Sequence, residues 1–233
     1  MRFLKLFPSD FQALFIFIFL IGAYLSMTSA AQAEVNPRYR YSNTFVKSFN
    51  QDWSAFLYQE FDTDNHGHPD LNAIDQELGL VYSGAARWLD LGMAMGRYDG
   101  KSGANWDDIN FPFQFITLKW AGCGVEVSDR NRVEEEYPEH GAYDTRYRND
   151  LTLATAKKWT PFELQPFISD EIFYDFDARY LAEDQLIIGF NFKVTKNITA
   201  ALSYMMDESH IRGANKDFWK DQPMAILTTT ISF

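Results

Sequence analysis

From Trp53 to the carboxy terminus, apolar residues return at every second position rather than every third or fourth. That spacing places successive side chains on opposite faces of an extended chain, so it predicts strands with one greasy face and one small or polar face. Leu89, Leu91, Met93 and Met95 oppose Asp90, Gly92, Ala94 and Gly96. Tyr147, Asn149, Leu151 and Leu153 oppose Arg146, Arg148, Asp150 and Thr152. Phe111, Phe113 and Phe115 make another apolar row, and Leu186, Ile188, Phe190, Phe192 and Val194 a further one. Ten strands are predicted: Trp53 to Phe61, Leu71 to Tyr82, Arg87 to Tyr98, Asn110 to Trp120, Cys123 to Glu136, Tyr143 to Ala154, Phe162 to Tyr174, Gln185 to Val194, Ile198 to Met206 and Met224 to Phe233.

Several of these are near the roughly 9 to 11 residues that a tilted membrane strand needs. Their connections are expected to sort by parity. Asp62 to Asp70, Asp99 to Ile109, Tyr137 to Ala142, Asp175 to Asp184 and Asp207 to Pro223 read as long loops, and most of the alternate connections as short turns. A barrel spanning a membrane has that asymmetry, whereas a soluble sandwich, the structural rival, has no reason for it. The expectation is an all-β, antiparallel, up-and-down transmembrane barrel of about ten strands, with eight to twelve open. An even count places both termini on the periplasmic side. Aromatics near the strand ends, among them Trp53, Trp88, Trp120 and Tyr174, suit interfacial girdles.

The segment before the strands reads as an address. Arg2 and Lys5 precede an uncharged stretch from Phe11 to Ala33 that closes on Ala31-Gln32-Ala33, the order of a cleavable secretory signal. The domains are then a signal peptide (1–33), a periplasmic amino-terminal segment (34–50) and an outer-membrane barrel (51–233). A Gram-negative outer membrane is the expected location. Its lipid, the secretion translocon and the barrel-assembly machinery are the expected partners. Phe233, with Ile231 and Leu227 on the same face, resembles the carboxy-terminal signal that directs bacterial outer-membrane barrels to insertion.

Composition narrows the function classes. The chain has 233 residues and a formal charge of −11, with no Lys/Arg-rich run, which argues against a nucleic-acid partner. A single cysteine excludes an internal disulfide framework, and with four scattered histidines it excludes a closed thiolate zinc site.

The order of short motifs resembles the bacterial family catalogued as domain of unknown function 2490. The matching pieces are Asp52-Trp53, Asp75-Gln76-Glu77, Arg97-Tyr98-Asp99, Asn131-Arg132, Arg146-Tyr147-Arg148-Asn149, the run from Pro166 to Asp175, and Tyr204-Met205-Met206. The resemblance implies a small outer-membrane barrel with no established activity. The acidic run Glu134-Glu135-Glu136 departs from the basic residue expected there, which puts the polarity of that strand's inner face in question.

Asp75, Glu77, Arg146, Arg148, Asp150 and Glu171, with Arg130 or Arg132, fall on the polar faces and are expected to meet in the lumen as a paired network, since isolated charges there are costly. An ion pathway is the functional alternative. Asp62 to Asp70 carries the oxygen ligands of a calcium loop, but Ala73 stands where the bidentate Glu would be, so it reads as a solvated turn. His140, His210 and Asp107-Asp108 fall in predicted loops without a serine motif, and no catalytic residue, metal, cofactor or specific ligand is assigned. The expected role is a plugged structural or surface-interaction barrel, ahead of a small pore and of a lipid-modifying enzyme.

Overall fold

A computed structural model describes residues 38–65, 69–103, 105–211 and 218–233, and these form eleven strands. In chain order they are β1 (Arg38–Ser48), β2 (Trp53–Asn65), β3 (Pro69–Ala86), β4 (Leu89–Ser102), β5 (Asn105–Gly122), β6 (Val125–Pro138), β7 (Asp144–Thr155), β8 (Gln165–Asp175), β9 (Tyr180–Lys193), β10 (Ile198–Ile211) and β11 (Phe218–Ser232). Each pairs antiparallel with its chain neighbours, and β1 closes the sheet by pairing with β11. An odd number of strands in an up-and-down order leaves the first and last pointing the same way, so this seam is parallel, from Arg38↔Met224 to Val46↔Ser232.

Three expectations are corrected. Residues 38–48 are a barrel strand rather than part of a periplasmic segment; their inner face is Arg38, Arg40, Ser42 and Thr44 and their outer face is led by tyrosines, so no aliphatic row marks them. Eleven strands fall within the expected eight to twelve, but the count is odd rather than even, so β1 begins at the end of the barrel opposite the one where β11 finishes. The long loops are largely absent too. Ladder pairing continues through them, bringing Ser102 opposite Asn105 and Asp175 opposite Tyr180, so most of those residues extend the hairpins. The expected signal peptide (1–33) lies outside the described residues.

Outward positions carry the apolar band. Leu78, Met93 and Leu202 are 63%, 61% and 58% exposed, a surface suited to lipid rather than water. Leu227 and Phe233 are exposed on the outer side of the seam, where the Phe233 N–H donates to the Val46 carbonyl at 3.0 Å, and Ile231 pairs with Phe45 of β1 and Ile198 of β10. Among the described residues no helix is long and apolar enough to cross a membrane.

The phenylalanine row of β5 faces inward, where a greasy face toward lipid was the expectation. The register supplies the reason. Phe111, Phe113 and Phe115 pair with Gly96, Ala94 and Gly92 of β4, and the rings lie against that bare stretch of wall. A Cβ added at Gly92 would sit 2.0 Å from Cζ of Phe115, and one at Gly96 2.0 Å from Cε2 of Phe111. The glycines are there for close approach rather than backbone freedom. The three rings, packed with Phe56, Val81 and Ile109, form one apolar sector of a largely polar interior. Met205, Met224 and Ile226 form a second sector near the seam.

Gly92→Val is therefore expected to lower barrel stability by about 1–3 kcal/mol through overpacking, read as a reduced urea midpoint in micelles. Gly92→Ala combined with Phe115→Leu is expected to recover most of the stability lost by Gly92→Ala alone.

Candidate functional site

Inward side chains from every strand line a cavity of about 1000 Å3. Toward the end where β11 finishes, its wall carries small hydroxyl side chains: Thr44, Ser54, Thr117, Ser128, Thr152 and Thr228. At mid-height the wall becomes a charged belt.

The belt is a continuous chain of ion pairs. Arg132 Nη1 donates to Glu77 Oε1 at 2.6 Å, reaching from β6 past β5 and β4 to β3. Its guanidinium crosses the Phe113 ring at 3.5 Å from the centroid, so the inward phenylalanines form the floor over which the charge reaches its partner. The Arg132 Nε also meets Glu134. Glu134 in turn accepts from Arg148 Nη1 at 3.2 Å, and Arg148 donates from Nε and Nη2 to Glu171 Oε1 at 3.0 and 2.8 Å while lying over Phe173. The side chains of Arg132 and Glu134 are 5% and 3% exposed. Burial of that degree is tolerable only because each charge has more than one opposite partner.

Among the residues singled out from sequence, Glu77, Arg132, Arg148 and Glu171 share this chain, and Arg146 pairs with Glu136 at 3.0 Å. Asp75 lines the cavity beside Glu77, but among the described residues it makes no ion pair, and its Oδ1 is buried without a hydrogen-bond partner there. Asp150 accepts from Thr152 at 3.1 Å and from Ser169 rather than from an arginine. Glu171 and Ser169 point inward while Asp170 is exposed, so the three consecutive residues do not act together. The acidic run of β6 divides by parity. Glu134 and Glu136 turn in and are buried, and Glu135 turns out and accepts from the Tyr137 hydroxyl at 2.9 Å.

A second cluster was missed. Arg40 donates from Nε and Nη2 to the two carboxylate oxygens of Asp62 at 2.8 and 2.9 Å and lies 3.0 Å from Glu60, which also accepts from Tyr58. Arg38 reaches Asp207 of β10 at 3.8 Å and donates to Gln222 of β11 at 2.5 Å, linking side chains across the parallel seam. The signal was present in the sequence: Arg38-x-Arg40 and Glu60-x-Asp62 alternate in step, and a strand assignment at 38–48 makes them partners.

In the connection at 156–164, outside the strands, Glu163 accepts from Lys193 Nζ at 2.6 Å and Lys158 Nζ at 3.3 Å. These bonds, the one from Lys193 foremost, hold its carboxyl below the usual carboxylate range. Of the Asp62 to Asp70 stretch, residues 66–68 lie outside the described set, and Asp62 is committed to Arg40. Among the described residues no group of three or more His, Cys, Asp or Glu side chains is arranged to hold a metal.

The profile of the family described as "Protein of unknown function (DUF2490)" matches residues 37–217. No curated protein matches the chain. Among solved structures, an anion-selective porin from Comamonas acidovorans is similar at a TM-score of 0.39 and 8% identity, over 80% of this chain and 55% of the porin chain. This chain thus spans about half the length of that structure.

Removing one member of the buried chain strands its partners. Arg132→Met is expected to destabilise the barrel by about 3–5 kcal/mol, whereas Arg97→Met, at an exposed outward ion pair with Asp99, is expected to leave the urea midpoint nearly unchanged. Urea titration in micelles, followed by tryptophan fluorescence, measures both.

Proposed function

Because the chain belongs to the DUF2490 family, whose matched region takes in ten of the eleven strands, we propose that it is an outer-membrane barrel of structural or surface-interaction role, its lumen closed at mid-height by the charged belt. The observation that carries this reading is the chain Glu77–Arg132–Glu134–Arg148–Glu171, which reaches across the interior with its central pair almost wholly buried. Paired charges of opposite sign hold one another in place, and a lumen crossed by such fixed side chains resists the passage of hydrated ions.

Export through the signal peptide, insertion in a Gram-negative outer membrane and delivery to the barrel-assembly machinery by Phe233, Ile231 and Leu227 complete the proposal. The exposed apolar band and the outward placement of Leu227 and Phe233 support it. The end bearing the extended β2–β3, β4–β5 and β10–β11 hairpins would face outside the cell.

A small pore is the second reading, favoured by the cavity of about 1000 Å3. The two separate in a planar bilayer. The native protein is expected to be electrically silent, and a doubly substituted Arg132→Ala, Glu134→Ala protein to show steady conductance. Nine carboxylates and six guanidiniums line the cavity, so that conductance is expected to favour cations. Steady conductance by the native protein would overturn the closed barrel in favour of the pore.

A further inference from the structure

Arg130 is the exception on the lumen wall. It stands directly opposite Asp150 in the β6–β7 ladder, the register in which a cross-strand ion pair would be simplest. No such pair forms. Asp150 is taken up by Thr152 and Ser169, and the Arg130 guanidinium lies over the Phe115 ring at 4.2 Å from the centroid, with Nε buried and without a hydrogen-bond partner. Among the described residues Arg130 makes no ion pair and no hydrogen bond, although the five other arginines lining the cavity each have a carboxylate within 4.0 Å.

Its surroundings reverse the charge balance of the cavity. A void of about 30 Å3 is walled by Arg130, Arg132, Arg148, Asp150 and Glu171, three guanidiniums against two carboxylates, inside a lumen where acids are in excess. That volume matches one water molecule or one oxygen atom of a larger group. The void lies on the side of the belt that faces the hydroxyl-lined half of the cavity. Ser128, two residues before Arg130 on the same face, is a further donor there, whereas Thr152 already donates to Asp150.

We propose that Arg130 is the anchor of a lumenal binding site for a small oxyanion, phosphate or carboxylate in class. One oxygen would occupy the void and the rest of the molecule would lie in the hydroxyl-lined half of the cavity. An unpaired planar guanidinium presents the fork that such groups accept from, and the aromatic ring beneath it holds the fork without consuming its donors. The site does not rest on the belt being closed. Binding is read on the folded protein in micelles and conductance in bilayers, so either proposal can fail alone.

The test is isothermal titration of the detergent-folded full barrel with inorganic phosphate, ionic strength being held constant with chloride. Saturable binding is expected, weakened about tenfold or more by Arg130→Gln and unchanged by Arg97→Gln. No saturable phosphate binding by the native chain, or binding that Arg130→Gln leaves intact, overturns the proposal. Heat-modifiable gel mobility establishes whether the variant is folded. If it is not, arginine-specific phenylglyoxal labelling of the native chain decides. Phosphate is expected to slow modification of Arg130 severalfold and leave Arg97 unaffected, and equal rates at Arg130 with and without phosphate overturn the site.

Discussion

A sheet that turns leucine and methionine outward, presenting a surface suited to lipid, leaves its backbone amides and carbonyls no partner but one another. Every strand edge must then be consumed, and in this chain the last two edges belong to β1 and β11. The arginines of β1 sit where that closure needs them. Arg38 and Arg40 bind carboxylates and an amide on β2, β10 and β11, so the side chains reinforce from within the junction that the backbone makes in the wall. Without β1 the ten remaining strands would present two unpaired edges, and the aliphatic outer face would have no sealed surface to belong to.

Closure creates the second problem, an interior too narrow to be left to bulk water and too large to fill with aliphatic side chains. The chain divides it. Glycine and alanine on β4 admit three phenylalanine rings against the wall, and those rings become the surface over which Arg132 crosses to Glu77. Apolar packing and ion pairing are thus one arrangement, in which the rings exclude water from the guanidinium face and the guanidinium covers the rings. Arg148 over Phe173 repeats the device one strand pair away.

Much of this was legible from periodicity. The all-β class, the closed sheet and the alternating inner and outer faces follow from period-two rows that no helix explains. Three features were not. The strand at 38–48 has an arginine and hydroxyl inner face and a tyrosine-led outer face, so it lacks the aliphatic row by which its neighbours announce themselves. Phe111 to Phe115 form a row whose direction hydrophobicity alone does not give; it depends on which residues of β4 lie alongside, a matter of register. The same holds for Glu134 and Glu136, whose inward turn is set by strand parity and whose partners, Arg132, Arg146 and Arg148, come from their own strand and the one beside it. Individual charged residues could be placed on a face, but which carboxylate an arginine reaches is decided by shear and side-chain length.

The parallel seam also governs the order of events during biogenesis. Ser42 and Thr228, hydrogen-bonded across it, are 186 residues apart in the chain. Every other neighbouring pair of strands is a hairpin that can zip locally, but β1 must wait for the whole polypeptide before it finds its mate, and contacts of such separation form slowly. Until then its free edge is open to any passing strand, its own or a stranger's. The two arginines on β1 add charge to that waiting edge and make casual pairing less favourable, so the residues that fasten the finished cylinder also guard the unfinished one.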